Sequence, residues 1–270
     1  MSLDPGFSCP NRDGTLGKRG CAFCDPASFS PAAGDRRPIA VQLASGMEKL
    51  RSRGIRKFAA YFQPHTNTYA PLDILQGVWG QVLPFPDVVA LCVGTRPDCA
   101  PEPVLDLLAA YQAEREVWIE LGLQSSLDDT LRLLNRRHTA ADFADAARRA
   151  RAHDLLVCAH VILGLPGEDA GDEARTADFL SELRIDGVKL HHLAVVKGTP
   201  LEAAWRAGEF RVVEEAEYVD RAVDFVERLP PHTVLHRVAG DTPPDRLLAP
   251  RYNKGRAAAA IWGRLRSSGG

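Results

Sequence analysis

Residues 155–168, with the sequence LLVCAHVILGLPGE, join an apolar run of strand length to a turn rich in glycine and proline. The run 155–163 is aliphatic and partly β-branched, which is typical of a strand that is buried on both faces. The turn at 164–168 is followed by residues 172–183, whose apolar residues have the spacing of an amphipathic helix. The stretch therefore predicts one strand–loop–helix unit.

The same unit recurs on both sides of this stretch. Further strands are predicted at 57–62, 88–93, 117–121 and 188–195, and further helices at 39–53, 71–83, 101–111 and 139–153, several opened by proline or aspartate. Such repetition indicates a parallel sheet covered by helices. With a short first strand at 2–4, we predict the α/β class and an incomplete, TIM-like (β/α)6 barrel over residues 1–230. A strand at 233–238 and a basic helix from about Lys254 predict a short C-terminal extension, residues 231–270, packed on the barrel.

Composition narrows the class of protein. The 270 residues, 45% hydrophobic and 25% charged, suit one large α/β barrel, and no repeat or low-complexity linker divides them. No run reaches the ~18 apolar residues of a membrane span, and the first residues lack the pattern of a signal peptide. We therefore predict a cytoplasmic protein with no membrane contact. The net charge of -2 argues against a generally basic nucleic-acid binder.

A local basic segment lies at the C-terminus. From residue 246 onward there is no acidic residue, and the basic ones are Arg246, Arg251, Lys254, Arg256, Arg264 and Arg266. Such a segment is typical of the solvated face of a terminal helix. It is also a candidate surface for RNA phosphates.

Polar or glycine-rich motifs follow each of the predicted barrel strands. They lie at 9–24, 63–69, 94–98, 120–125, 164–168 and 197–199. In parallel α/β barrels the loops after the carboxyl ends of the strands build the active site. We therefore expect these six segments to converge on one face of the barrel.

Three cysteines in the first of these segments indicate a metal centre. Cys9, Cys21 and Cys24 have the spacing C-x11-C-x2-C, and the glycines between them allow the first cysteine to approach the other two. Three protein ligands leave one coordination position open for another molecule. A zinc ion is the alternative, but it needs a distant fourth ligand because the next histidine is His65. Disulfides are not favoured in a chain with six cysteines and no signal peptide.

The sequence resembles the radical SAM superfamily. Residues 6–14 (GFSCPNRDG), 95–99 (TRPDC), 163–168 (LGLPGE) and 188–193 (VKLHHL) are similar to the YhcC-like group, relatives of the elongator catalytic subunit. The cysteine spacing differs from the superfamily's commoner C-x3-C-x2-C and agrees with the longer first loop of this group. Members of the group carry more residues before the cysteines. We therefore expect either a start further upstream or a barrel that is open at its first strand.

The resemblance implies an enzyme that uses two cofactors. Cys9, Cys21 and Cys24 would bind three irons of a 4Fe-4S cluster, and S-adenosylmethionine (SAM) would chelate the fourth. Phe23 would shield the cluster. The methionine part of SAM would be bound at its amino group by Gln63, Thr66 and Asn67 and at its carboxylate by Arg136. The ribose would be contacted by Glu120 and Gln124, and the adenine by Ile162 and Gly164. Reductive cleavage of SAM would produce a 5′-deoxyadenosyl radical that takes hydrogen from an unknown substrate. Electrons would come from a flavodoxin or ferredoxin.

Two further residues are candidates for catalysis. Alternate residues of a strand face opposite sides, so of His160, His191 and His192 only some face the barrel interior, and we take His191 as the functional one. Cys99 follows a motif at the catalytic face and is a candidate hydrogen donor or substrate anchor, with a structural role as its alternative. Cys92 and Cys158 are predicted to be buried core thiols.

The substrate has two candidates. Kinship with elongator makes tRNA the first, and a small molecule such as a tetrapyrrole is the other, because kinship of fold does not determine substrate. A hypothesis of a different class is a non-catalytic RNA-binding or sensor protein that carries zinc or a cluster. Such a protein has no need of the polar motifs at the five later strand ends.

Overall fold

Strands and helices follow one another along the chain, and the strands pair in almost the order in which they occur. The structure is a computed structural model that describes residues 1–240 and 242–268. Its strands are β1 (Ser2–Leu3), β2 (Phe58–Phe62), β3 (Val88–Thr95), β4 (Glu116–Gln124), β5 (Leu156–Leu163), β6 (Gly187–His192), β7 (Val195–Val196), β8 (Val234–Arg237) and β9 (Leu247–Ala249). Seven of them form one parallel sheet in the order β1-β2-β3-β4-β5-β6-β8, while β7 and β9 form an antiparallel pair. The predicted parallel α/β sheet is confirmed.

The helices connect the strands, and two of them begin with capping boxes. They are α1 (Pro26–Phe29), α2 (Ile39–Arg51), α3 (Leu72–Gly80), α4 (Glu102–Ala110), α5 (Asp128–Leu133), α6 (Ala140–Ala152), α7 (Ala170–Glu182), α8 (Pro200–Arg206), α9 (Glu215–Glu227) and α10 (Lys254–Ser268). Thr139 with Asp142 caps α6, and Asp169 with Asp172 caps α7. Each box gives partners to backbone N–H groups that the first turn leaves unpaired. The five helices predicted for the barrel are present as α2, α3, α4, α6 and α7, and the helix predicted from about Lys254 is α10.

The curled sheet has an apolar outer face and a polar inner face. On the outer face Phe62, Ile119 and Val161 are buried in the main core with the helices. On the inner face Glu120 and His160, the neighbours of two of those residues in sequence, line a cavity. Because successive side chains of a strand point to opposite faces, the same strands build both the core and the cavity wall.

The C-terminal part of the chain completes the sheet. The strand predicted at 233–238 is β8, which pairs in parallel with β6 and so becomes the seventh strand of the barrel sheet. Pairing with β6 satisfies an edge that six strands would leave uncovered. α10 packs on α9 with Ala257 and Ile261 buried. Asp241, Gly269 and Gly270 of the predicted extension lie outside the described residues, and no described helix has the length and apolarity of a membrane span.

Candidate active site

A cavity opens at the carboxyl ends of the parallel strands, where the loops after the strands meet. Fourteen residues were predicted for the site, and eleven of them line this cavity. The other three, Asn67, Cys99 and Gly164, do not line it. The fold therefore brings together most of the predicted residues, which come from loops and strands far apart in sequence.

The loop that carries the three cysteines is held in shape by backbone and amide hydrogen bonds. Gly20, at a φ of 73°, has the left-handed conformation that glycine adopts without a steric cost, and its N–H donates to the carbonyl of Asn11 at 2.7 Å. The side-chain amide of Asn11 donates to the carbonyl of Asn135, and that of Asn135 donates to the carbonyl of Gly20, each at 2.6 Å. These bonds join the cysteine loop to the turn after α5.

Polar donors lie near two of the three cysteine sulfurs. Arg136 Nη1 lies 3.2 Å from Cys21 Sγ, Asn11 Nδ2 lies 3.5 Å from the same sulfur, and Arg12 Nη1 lies 3.9 Å from Cys24 Sγ. Burial, reinforced by the neighbouring Cys21, raises the pKa of the Cys24 thiol to about 12. Thiolates at this position therefore need a strong positive charge, which metal ions provide.

The arrangement of the three free cysteines distinguishes between the two predicted kinds of metal centre. Among residues 1–240 and 242–268, no three His, Cys, Asp or Glu side chains converge closely enough to hold a single metal ion. A zinc ion requires its ligands around one point, whereas a 4Fe-4S cluster takes each thiolate on a different iron. A set of three thiols that do not converge on one point, among the described residues, fits the cluster better than zinc.

Arg136 lies at the junction of the cysteine loop and the sheet. Besides contacting Cys21, it donates through Nη2 to the carbonyl of Gly122 at 2.6 Å and through Nε to His138 at 3.1 Å. A guanidinium has five N–H groups, so two remain for the predicted carboxylate of SAM. Gly122 permits this approach, because a Cβ at that position would lie 2.9 Å from both Arg136 Nη2 and Gln124 Nε2.

Glu120 has a different environment from the one predicted. It is 1% exposed, its two oxygens contact the Lys189 ammonium, and one of them also contacts His160 Nε2 at 2.7 Å. Burial alone would raise the pKa of this carboxyl, but Lys189 and His160 hold it well below its usual range. The carboxylate is thus engaged inside the barrel, and its predicted role toward a ribose has no support from this geometry.

The loop after β2 contributes a buried hydroxyl to the cavity wall and an amide with a structural role. Thr66 is fully buried in the cavity wall, and its hydroxyl has no hydrogen-bond partner among the described residues. Asn67 instead donates to the carbonyls of Phe62 and Gly94 at 3.0 and 2.9 Å, so it connects β2 to β3 rather than facing the cavity. Gln63 lines the cavity and donates to the carbonyl of Phe29 at 2.8 Å.

The turn after β5 supports the cavity from behind. Ile162 and Gln124 line the cavity, whereas Gly164 does not. The N–H of Gly164 donates to Glu173 at 2.7 Å, and a Cβ on this glycine would lie 2.6 Å from Val213. Gly164 therefore serves the packing of the loop, and its predicted contact with adenine has no support from this geometry.

The two predicted catalytic residues differ in position. His191 lines the cavity, and burial lowers the pKa of its imidazole well below the usual value, so the ring is neutral at pH 7. Cys99 lies outside the cavity, its carbonyl accepts a hydrogen bond from Thr68, and burial raises the pKa of its thiol to about 12. A hydrogen-donor role for Cys99 therefore has no support from this geometry, and the structural alternative fits better.

Several cavity residues were missed in the sequence. Lys189 and Arg237 line the cavity, as do His65 and Arg96. Lys189 could have been found, because it is two residues from His191 on the same strand and so shares its face. Arg237 could not, since its position depends on how β8 pairs with β6.

Comparisons with known proteins agree with this geometry. The family model of the Radical SAM superfamily matches residues 14–180, and that of the Radical_SAM C-terminal domain matches residues 185–266. Protein YhcC of Escherichia coli (strain K12) is 42% identical over 257 residues, which are 95% of this chain and 82% of that protein. The tRNA uridine(34) acetyltransferase of Dehalococcoides mccartyi (strain CBDB1) is 30% identical over 158 residues, 57% of this chain and 34% of that protein.

A solved structure shares the fold. Elp3 of Methanocaldococcus infernus, with an N-terminal deletion, superposes with a TM-score of 0.76 at 18% identity, over 99% of this chain and 62% of that chain. At this identity the likeness concerns the fold alone. The sequence matches are the stronger finding, since they cover most of the chain. The chain therefore belongs to the radical SAM superfamily, with YhcC-like proteins as relatives, and is a radical SAM enzyme.

Proposed function

We propose that the protein binds a 4Fe-4S cluster through Cys9, Cys21 and Cys24 and cleaves SAM reductively in the cavity beside them. The observation that carries the proposal is three free thiols at one wall of a cavity, with N–H donors directed at two of the sulfurs. When bound, the reduced cluster would supply one electron to the SAM sulfonium, releasing methionine and a 5′-deoxyadenosyl radical that abstracts hydrogen from the substrate. We further propose a flavodoxin or ferredoxin as the electron donor.

The residues of this chain would have three tasks in that reaction. Arg136 and Asn11 would donate hydrogen bonds to the sulfur of Cys21, which stabilises its thiolate. Phe23, whose ring lies 6.0 Å from the Arg136 guanidinium, would exclude water from the same side. Thr66, whose hydroxyl has no partner in the described part of the chain, would supply a hydrogen bond to the polar part of SAM.

Anaerobic reconstitution tests the proposal. We expect about four irons and four sulfides per chain, and release of 5′-deoxyadenosine from SAM after reduction. Cys24→Ala should lose both, whereas Cys158→Ala, at a buried thiol in the separate apolar cluster with Trp118, should retain both. A colourless protein that keeps stoichiometric zinc after anaerobic purification would reject the proposal.

We propose tRNA as the first candidate substrate. One support is the 30% identity to a protein named as a tRNA uridine(34) acetyltransferase. The other is a group of exposed basic residues on the cysteine loop, Arg12, Lys18 and Arg19, which we call the basic rim. No ion pair involves any of them among the described residues. Exposed cations on a loop whose Arg12 lines the cavity are suited to RNA phosphates.

The C-terminal basic residues support RNA binding less well than their sequence suggested. Arg246 pairs with Asp25 at 2.6 Å, Arg256 pairs with Glu215 at 2.5 Å, and Arg264 pairs with Asp220. Acidic residues from elsewhere in the chain thus neutralise part of the segment. The basic rim is therefore the better candidate for phosphate contacts.

A salt titration distinguishes tRNA from a small molecule. Lys18→Ala with Arg19→Ala should weaken tRNA binding and reduce the slope of log affinity against log salt by about 0.7–0.9 for each lost phosphate contact. Arg256→Gln with Arg264→Gln, which removes the same formal charge from ion-paired positions, should leave the slope almost unchanged. If the unaltered chain binds no tRNA at low salt, a small-molecule substrate becomes the better hypothesis.

A further inference from the structure

The cavity contains a second group of charged residues, apart from the cysteine loop. This inner group consists of Glu120 on β4, His160 on β5, Lys189 and His191 on β6, and Arg237 on β8. The cysteine loop follows β1 at one edge of the sheet, and β8 is the opposite edge. The two ends of the cavity therefore differ in chemistry, thiols at one and an ionic network at the other.

Within the inner group, one cation and one anion neutralise each other. Lys189 Nζ contacts both oxygens of Glu120, with 2.6 Å to Oε1, and it lies 3.8 Å from the centre of the Tyr61 ring. His160 occupies the other side of the carboxylate. A buried carboxylate and a buried ammonium with these partners form a satisfied pair. Lys189 is thus not the group that would attract a ligand.

Arg237 owes its position to an irregularity in strand pairing. In the ladder between β6 and β8, Val188 is opposite Leu235, but Lys189 is opposite Arg237. The extra residue on β8 is His236. Its ring packs against Trp118 on the inner face of β4, with 4.4 Å between the ring centres. Regular pairing would place Arg237 on the face opposite to His236. The shift allows two successive side chains to point into the barrel, as bulges near active sites do.

Arg237 has no partner in the described part of the chain. It is half-buried in the cavity wall, and no hydrogen bond or ion pair involves its guanidinium there. Glu120, already paired with Lys189, is the one carboxylate among the described residues that line the cavity. The neighbouring His191 also offers ring nitrogens without a hydrogen bond among these residues. A partly desolvated arginine without a counter-ion is costly unless an anion completes it.

We propose that Arg237, together with His191, binds an oxyanion of the substrate, a carboxylate or a phosphate, at the inner end of the cavity. The proposal rests on the cavity being the substrate site of the proposed radical enzyme, and it adds the chemistry of the group recognised there. SAM chelating a cluster at the cysteine loop would keep its own carboxylate near that edge of the sheet. The oxyanion at the β8 edge is therefore the substrate's. The planar guanidinium is well suited to two parallel hydrogen bonds with such a group.

Binding of simple anions to the full chain tests the proposal without any turnover. The probes are inorganic phosphate, acetate and dimethyl phosphate. Their binding is monitored through the side-chain NMR signals of Arg237 and His191. The Arg237 signal is identified by its absence in R237Q. We expect both signals to shift in a saturable manner with at least one probe. A preference for dimethyl phosphate would indicate a nucleic-acid phosphodiester, and a preference for phosphate or acetate would indicate a small-molecule substrate.

Variants separate this site from general anion effects. In R237Q the affinity read from the His191 signal should fall about tenfold or more, the effect of a lost charge-assisted contact, and in R237K it should fall less. R256Q, at a surface arginine, is the matched control and should bind like the unaltered chain. Equal affinity in R237Q and the unaltered chain would overturn the proposal.

Two further results complete the test. Asp241 lies between Gly240 and Thr242 of the cavity wall but outside the described residues, so D241N is included. If D241N bound the anions and the unaltered chain did not, Asp241 would already be the ion-pair partner of Arg237. That result would overturn the proposal. Oxyanion binding without SAM cleavage in the unaltered chain would retain this site and reject the proposed function. Cleavage without oxyanion binding would reject this inference alone.

Discussion

At the scale of single residues, the site depends on buried charges whose partners are distant in sequence. Glu120 and Lys189 are 69 residues apart, and Arg136 and Cys21 are 115 residues apart. Each of these charges is acceptable inside the protein because its partner is within hydrogen-bond reach. The residue types could be read from the sequence, whereas these pairings could not.

Arg136 carries the first prediction at this scale. Arg136→Met removes a cation and an N–H donor from Cys21, so the reduction potential of the bound cluster should fall. SAM affinity should weaken by roughly 1.5–3 kcal/mol if the remaining N–H groups bind its carboxylate. The potential is measured by redox titration and the affinity by calorimetry. The adjacent Arg137→Gln is the control, because Arg137 is exposed and bonds to Asn135. If both quantities matched those of the control, Arg136 would have neither role.

At the scale of elements, the loop after β5 shows how two parts of the chain depend on each other. Gly164 directly follows β5, and its N–H donates a hydrogen bond to Glu173 of α7. Arg221 of α9 contacts the same carboxylate at 3.0 Å, and Val213, just before α9, packs against the glycine. α9 was not predicted from the sequence, although Tyr218, Ala222 and Phe225 have helical spacing and are buried. The region around α9 thus supports the turn beside the cavity.

Two glycines of this loop provide a matched pair for the second prediction. Gly164 and Gly167 both have positive φ, 81° and 85°, but an added Cβ would meet Val213 at Gly164 and no atom within 4 Å at Gly167. Gly167→Ala should therefore cost about 1 kcal/mol of unfolding free energy, for the backbone alone. Gly164→Ala should cost roughly 1–3 kcal/mol more, because Val213 is buried and must move.

Denaturant unfolding of the two variants measures this difference. In the Gly164→Ala background, Val213→Ala should recover part of the loss, since it removes the clash but not the backbone strain. SAM affinity should fall in Gly164→Ala as the turn is displaced. Equal stability of the two glycine variants would show that the turn can open away from α9.

At the scale of the whole molecule, several histidines are held neutral by burial. Burial, together with the nearby Arg136, lowers the pKa of His138 to about 2, and burial also lowers the pKa values of His160 and His191. In the unfolded chain a histidine titrates near ~6.5. Below that pH the unfolded state binds protons that the folded state does not, so acid favours unfolding.

The third prediction follows from the sign of this effect. Between pH 7.5 and pH 5.5, the contribution of His138 should reduce the unfolding free energy by about 1.4 kcal/mol, the value of one pH unit below ~6.5. In His138→Gln that contribution disappears. The difference in unfolding free energy between the unaltered chain and this variant should therefore narrow by the same amount when the pH falls. Denaturant unfolding at the two pH values measures it. Leu133→Ala, at an exposed residue without a titratable group, is the control, and a constant gap for His138→Gln would contradict the prediction.

Local patterns in the sequence determined the strand–helix alternation, the parallel sheet and the spacing of the three cysteines. These features depend on side-chain periodicity and short spacings, which neighbouring residues specify by themselves. The tertiary structure alone decided that Glu120 pairs with Lys189, that the C-terminal strand joins the barrel sheet, and that Arg237 points inward. The physical reason is that register and ion pairing are set between segments far apart in the chain. A shift of one residue in a ladder reverses which face a side chain occupies.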